Sequence, residues 1–185
     1  MKLEGVKVEN FRIVVEYDGT AYHGWQRQQK DRTIQGEIEK VLMTMTEKSI
    51  SLAGSGRTDA GVHAIGQTAS FKSDAGLSPD IYLKGLNSLL PDDILIKVCE
   101  SMDPAFHARY DARSKLYQYR ILNRDKPSIL ERHYVWHIRK QLDVSAMQKA
   151  ATLFVGKHDF KAFEGAGSPR TSTVRHVIRA GIRRT

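Results

Sequence analysis

Residues 54–63, Gly54-Ser55-Gly56-Arg57-Thr58-Asp59-Ala60-Gly61-Val62-His63, place three glycines, one arginine and one carboxylate between two strand-like stretches. Ile50-Ser51-Leu52 alternates apolar and polar before them. Residues 62–71 read as a second strand, with Thr68 and Ser70 alternating against Ala69 and Phe71. Glycine opens backbone conformations closed to other residues and lets other groups approach the main chain. An acid on such a turn is presented rather than hidden. A phosphate loop is excluded: Gly56 and Gly61 have the spacing, but Val62-His63 stands where Lys-Ser/Thr is required. A dinucleotide fingerprint would need glycine in place of Asp59. Two readings remain. Asp59 is either the local hydrogen-bond acceptor of an ordinary hairpin loop, or a catalytic carboxylate kept ionised by Arg57 as nucleophile or base. Spacing does not choose between them.

The string Gly-Arg-Thr-Asp-Ala-Gly-Val-His is more specific than any three-glycine pattern, and other strings accompany it. They are Glu16-Tyr17-Asp18-Gly19, Tyr22-His23-Gly24-Trp25-Gln26-Arg27-Gln28, Phe106-His107-Ala108-Arg109, Tyr117-Gln118-Tyr119-Arg120 and His158-Asp159-Phe160. Together they resemble the TruA-type tRNA pseudouridine synthase family over residues 11–178.

Charge is distributed unevenly. Of a net +8, residues 107–140 carry nine Lys/Arg against three acids, and residues 165–185 carry five arginines and no acid. Tyr117, Tyr119, Tyr134 and Trp136 are interleaved with the first of these runs. Cations with stacking faces suit a nucleic acid, although a basic solvated surface has the same composition. No apolar run approaches the ~20 residues that span a bilayer. Residues 1–5 lack the apolar core of a signal peptide. Cys99, the single cysteine, excludes an internal disulfide and fits the reducing cytoplasm. It follows the apolar residues 94–98, which predicts a buried, inert thiol. His133 and His137 enclose Tyr-Val-Trp, and on a strand they stand roughly 13 Å apart, too far to share a metal.

Along the chain, residues 11–17 alternate as a strand that runs into Asp18-Gly19. Residues 20–32 form a donor-rich loop, suited to ribose and phosphate or simply solvated. Thr33 caps a helix with its stripe at Ile34, Ile38, Val41, Leu42 and Met45. Met43 and Met45 read as core filling. Ser78-Pro79 opens a second helix, with Leu83, Leu86, Leu89 and Leu90 inward and Pro91 ending it. Residues 94–100 are a strand. The order strand, helix, strand, strand, helix, strand is the split βαβ, ferredoxin-like unit. Pro104 begins a second series. Residues 115–123 are predicted as a strand with Tyr117, Tyr119 and Ile121 on one face, and residues 134–138 as a short strand. Asp143 caps a helix with Met147, Ala150, Ala151 and Phe154 inward, stopped by Gly156. Residues 174–182 are a last strand. The expected fold is α+β: two ferredoxin-like halves, residues 1–104 and 105–185, sharing a mixed antiparallel sheet, the second half incomplete at its C-terminus.

The resemblance implies conversion of uridine to its C-glycoside isomer in the tRNA anticodon stem-loop (positions 38 to 40), by a homodimer, without metal or nucleotide cofactor. It implies that Asp59 is the essential carboxylate. Arg57 helps extrude the base and holds the aspartate, and Tyr117 lies against the flipped base. Family members usually continue past the strand that follows His158-Asp159-Phe160, with a Phe-x-x-x-Met-Val-Arg-type string. No such string occurs before Thr185, so the sequence reads as a truncated form or a shortened relative. The rival expectation is a non-catalytic RNA-binding module that keeps the loop without the chemistry.

Overall fold

The computed structural model describes residues 7–164 and 172–185. Close contacts divide the chain into two units, Met1–Tyr117 and Gln118–Thr185.

The first unit runs β1 (Glu9–Tyr17), α1 (Ile34–Thr46), β2 (Ala53–Gly54), β3 (Ala64–Ser73), α2 (Pro79–Leu89) and β4 (Ile94–Met102), with a 3-10 turn at Gly19–Ala21. Its sheet has the order β2-β3-β1-β4, and every pairing is antiparallel. The alternation of β1 does what the sequence predicts. Phe11, Ile13, Val15 and Tyr17 are buried, while Arg12, Val14 and Glu16 are half-exposed. Thr33 Oγ1 accepts from the Gly36 amide at 3.2 Å, and Ile34, Ile38, Val41 and Leu42 of α1 enter the core. Met45 packs against that core, but Met43 is exposed, since two positions along a helix turn it about 200° away.

The second helix differs from expectation in its buried face. Ser78 caps it as predicted. Tyr82, rather than Leu89, is fully buried with Leu86, and Leu89 faces outward. Tyr82 meets the stacked Phe11 and Phe71 rings edge-on, with centroids 4.9 and 5.1 Å away, and its hydroxyl bonds Ser73 Oγ at 2.6 Å. Aromatic packing with a satisfied hydroxyl outcompetes a leucine two turns later. At the outer edge of β4, Asn87 from α2 donates to the Ile96 carbonyl and accepts from its amide, both at 2.8 Å. A side chain thus occupies edge groups that would otherwise be open to another strand.

Residues 103–111 pack on the first unit. Asn10 Nδ2 donates to the carbonyls of Asp103 and Phe106, both at 2.8 Å, and the Ala108 amide donates to Ser70 Oγ at 3.1 Å.

The second unit contains β5 (Ile121–Asn123), β6 (Trp136–Ile138), α3 (Val144–Thr152), β7 (Gly156–Asp159) and β8 (Val174–Val177). Its described strands pair as two separate two-stranded sheets, β5 with β6 in parallel and β7 with β8 antiparallel. The long strand expected over residues 115–123 is therefore a three-residue strand. Residues 115–120 lie outside the described strands, although the Arg120 carbonyl accepts from the Trp136 amide at 2.8 Å. The strand expected over residues 174–182 likewise stops at Val177, where β7 runs out of partners. Asp143 caps α3, as expected. Met147 and Ala151 are only half-buried, whereas Ala150 and Phe154 are exposed. Phe154, Phe160 and Phe163 hold this end together, with ring centroids 6.0–6.1 Å apart. Gly156 does not terminate α3 directly. It opens β7 at φ 112°, three residues after the helix cap.

Cys99 is half-buried on β4, and its thiol is pushed up to about 12, first by burial and then by the charges of Glu100 and Asp80. The thiolate is the reactive form. Alkylation at pH 8 is expected to be at least ~10-fold slower in the native protein than in denaturant. Equal rates, read by mass spectrometry, would contradict the placement of Cys99.

Candidate active site

The loop between β2 and β3 is held from both sides. On its N-terminal side the strand expected at Ile50-Ser51-Leu52 does not form. Ile50 and Leu52 do point inward, but the backbone of Leu52 is bonded to α1 instead: its amide donates to Glu39 Oε1 at 2.9 Å and its carbonyl accepts from Gln35 Nε2 at 3.0 Å. The ladder begins only at Ala53, opposite Ser70. The Ser55 amide then reaches the Thr68 carbonyl at 2.7 Å, and Gln67 Nε2 donates to the Gly56 carbonyl at 2.6 Å.

The second side is made by residues 17–25, from the end of β1 into the donor-rich 20–32 loop, for which the sequence suggests ribose and phosphate or solvent. Part of that segment serves a different purpose. The Trp25 amide donates to the Thr58 carbonyl at 3.0 Å, and the Gly61 amide to the Tyr22 carbonyl at 3.2 Å. The Tyr17 hydroxyl and Thr58 Oγ1 lie 2.8 Å apart, in hydrogen bond. His63 Nδ1 stands 3.0 Å from Asp18 Oδ1, closing the far end of the loop. The Trp25 indole is buried against Gly54, where an added Cβ would stand 2.5 Å from Nε1. Gly24 takes φ +89° and passes so close to the loop that a Cβ would lie 2.5 Å from the Thr58 carbonyl oxygen. Tyr22 is anchored in turn by a short bond from its hydroxyl to Asp93 Oδ1 and by the Arg32 guanidinium 4.5 Å over its ring. Burial first, then the bond to and charge of Asp93, push its phenol well above the usual tyrosine value. The contacts of Tyr17, Tyr22 and Trp25 with the loop carry no signal in sequence spacing, because each loop partner lies more than 25 residues away.

Within this frame Arg57 and Asp59 are both exposed. Among the described residues, no ion pair within 4.0 Å joins them, and neither side chain makes a hydrogen bond. The arginine–aspartate contact expected from the sequence is not formed. The alternative in which Asp59 accepts a local backbone bond is not formed either: its carbonyl accepts from the Val62 amide at 3.2 Å, while its carboxylate is left over. A carboxylate with no structural task, on a backbone fixed by its neighbours, can serve as nucleophile or base toward a bound ligand. Tyr117 lies in the segment before β5, outside the strands and 70 % exposed, and among the described residues it has no hydrogen bond or ring contact.

The sequence pattern of a family described as tRNA pseudouridine synthase matches residues 13–111 and 150–185. The chain belongs to the tRNA pseudouridine synthase family. Arg57 and Asp59 fall within the first match, and Tyr117 lies between the two. The tRNA pseudouridine synthase A of Acetivibrio thermocellus is 44 % identical over 177 residues, covering 96 % of this chain and 72 % of the relative. The tRNA pseudouridine synthase A 2 of Clostridium perfringens is 44 % identical over 170 residues (92 % and 70 %). The tRNA pseudouridine synthase A of Thermoanaerobacter pseudethanolicus is 45 % identical over 170 residues, with the same coverage.

Two glycines separate backbone strain from contact. Gly61 has φ +76° with nothing within 4 Å of an added Cβ, whereas Gly24 combines positive φ with the clash on Thr58. Gly61→Ala is expected to cost roughly 1 kcal/mol of stability. Gly24→Ala should cost more, about 2–4 kcal/mol, because strain and overpacking act together. Denaturant unfolding of both variants checks the order, and equal losses would contradict the close approach of Gly24 to the loop.

Proposed function

We propose that this chain isomerises uridine to pseudouridine in tRNA, with Asp59 as the reacting carboxylate. The observation that carries the reading is the exposed, unpartnered carboxylate of Asp59 on a loop whose neighbouring backbone is pinned by Tyr17, Tyr22, Trp25 and Gln67. Family membership and the names of the relatives support the reaction and the substrate.

The reaction breaks the bond from N1 to C1′, turns the uracil while it stays bound, and joins C5 to C1′. The C5 proton is lost and N1 gains one, so product and substrate are isomers and no electrons are exchanged with a redox partner. An ionised carboxylate assists by attacking the sugar or by taking a ribose proton. A stacked target base must first leave its stack, at a few kcal/mol. Arg57, exposed two residues before Asp59, is placed in the role of assisting that exit, and the Tyr117 ring in the role of lying against the extruded base. Among the described residues, both are free of hydrogen bonds and ion pairs that would occupy them. The target region is the anticodon stem-loop, at positions 38 to 40, which the basic second half of the chain suits electrostatically.

The order β2-β3-β1-β4 with two helical crossovers supports reading the first unit as one ferredoxin-like half, and the second unit as a partial counterpart. Self-association as a homodimer is part of the same reading. It is supported by large apolar side chains left exposed in the second unit, among them Leu130, Trp136 and Leu153.

Asp59→Asn is expected to reduce pseudouridine formation in unmodified tRNA to background, with tRNA affinity kept within a few-fold. Arg57→Ala should lower affinity and turnover together. Neither should move the melting temperature, since neither side chain has a partner to lose. Near-native turnover by Asp59→Asn, measured by release of the C5 hydrogen, would remove the catalytic assignment.

A further inference from the structure

The segment that leaves β4 comes back against the signature loop. It is fixed to the sheet at Ala108, which is buried and whose amide donates to Ser70 Oγ at 3.1 Å. Beyond that anchor Arg109, Arg113 and Lys115 are exposed, and among the described residues none of them has a carboxylate within 4.0 Å. Some other cations of the same unit are paired: Arg12 with Glu100, Lys48 with Asp74 at 2.7 Å and Lys97 with Glu16 at 2.9 Å.

Lys115 is distinguished by where its side chain lies. It runs along Gly56, so that a Cβ added there would stand 2.9 Å from Nζ, 3.4 Å from Cε and 3.8 Å from Cδ. Gly56 cannot easily yield, because its carbonyl is held by Gln67 Nε2 and the preceding amide by the Thr68 carbonyl. The ammonium is thereby set beside the residue that precedes Arg57. The Lys115 ammonium thus lies on the N-terminal flank of the Asp59 loop, against the residue next to Arg57 in sequence, and among the described residues Asp59 is ion-paired with neither cation. An exposed cation with no carboxylate beside it is open to an anion from solution. A lysine ammonium is a compact point charge suited to a phosphate oxygen.

We propose that Lys115 is a substrate-positioning residue: with Arg57 it forms a seat for one backbone phosphate of the RNA strand that brings its nucleotide to Asp59. This inference rests on the reading that the chain acts on tRNA. Gly56 is part of the seat, since a Cβ there would stand 2.9 Å from Nζ and push the ammonium aside.

The test is the salt dependence of tRNA binding by the full chain, read with that of variants. Each phosphate contact adds about one to the slope of log affinity against log salt. Lys115→Ala should lower the slope by about one, so that its deficit against wild type shrinks about tenfold for each tenfold rise in salt. Lys115→Met, which keeps most of the stem without the charge, should behave like the alanine variant, and Lys115→Arg should restore the slope. Gly56→Ala should weaken binding in the wild-type background and add nothing in Lys115→Ala, since both remove the same contact. Melting temperatures should stay unchanged across the Lys115 series. An unchanged slope for Lys115→Ala overturns the proposal, as do penalties of Gly56→Ala and Lys115→Ala that add in full. Wild-type protein with no salt-dependent tRNA binding would sink the tRNA reading itself, and the seat with it.

Discussion

The Trp25 indole packed against Gly54 is the contact on which the arrangement of the site depends. It buries the largest side chain of residues 17–25 at the point where β2 turns into the signature loop. The same residue's amide holds the Thr58 carbonyl, one residue before Asp59. Hydrophobic burial and a hydrogen bond therefore act on neighbouring parts of one loop, from one residue. Such a contact permits a glycine-rich loop, costly to order by itself, to carry a charged side chain outward without collapsing onto it.

Glu39 plays the corresponding part beneath the loop. Its side chain is only 7 % exposed, an expensive place for a carboxylate unless it is paired and hydrogen-bonded. The Leu52 amide and Gln35 Nε2 bond one oxygen, and Arg27 Nη1 stands 3.1 Å from the other. One buried acid thus ties α1, the residue 20–32 loop and the approach to β2. It also explains why residues 50–52 are inward-facing but unpaired, since side chains of α1 take the backbone groups a neighbouring strand would have used.

The two units differ in how they are held. The first has a contiguous core from Phe11 to Ile96, closed by the Phe11, Phe71 and Tyr82 rings. The described residues of the second include none that is fully buried, and its strands are three or four residues long. Local stability follows buried apolar contact, so the first unit is the rigid platform and the second the more easily opened part. A rigid platform suits the carboxylate that must be held in place. A looser basic surface suits an RNA whose phosphates are bound mostly through charge.

The sequence by itself determined the elements whose signals are local. The alternation of β1, the caps Thr33, Ser78 and Asp143, and the order of the first six elements are all written within a few residues of where they act. The signature string also located Arg57 and Asp59 on one exposed loop. What it could not supply were preferences settled between distant residues. Tyr82 displaced Leu89 from the core because Phe11, Phe71 and Ser73 fit it. Residues 115–120 formed no strand because a strand requires a partner to bond. The expected contact of Arg57 with Asp59 was absent because proximity in sequence does not fix where two exposed side chains point. The placing of Lys115 against Gly56 is of the same kind: fifty-nine residues separate them in the chain, and only the fold of the first unit brings that ammonium to the loop.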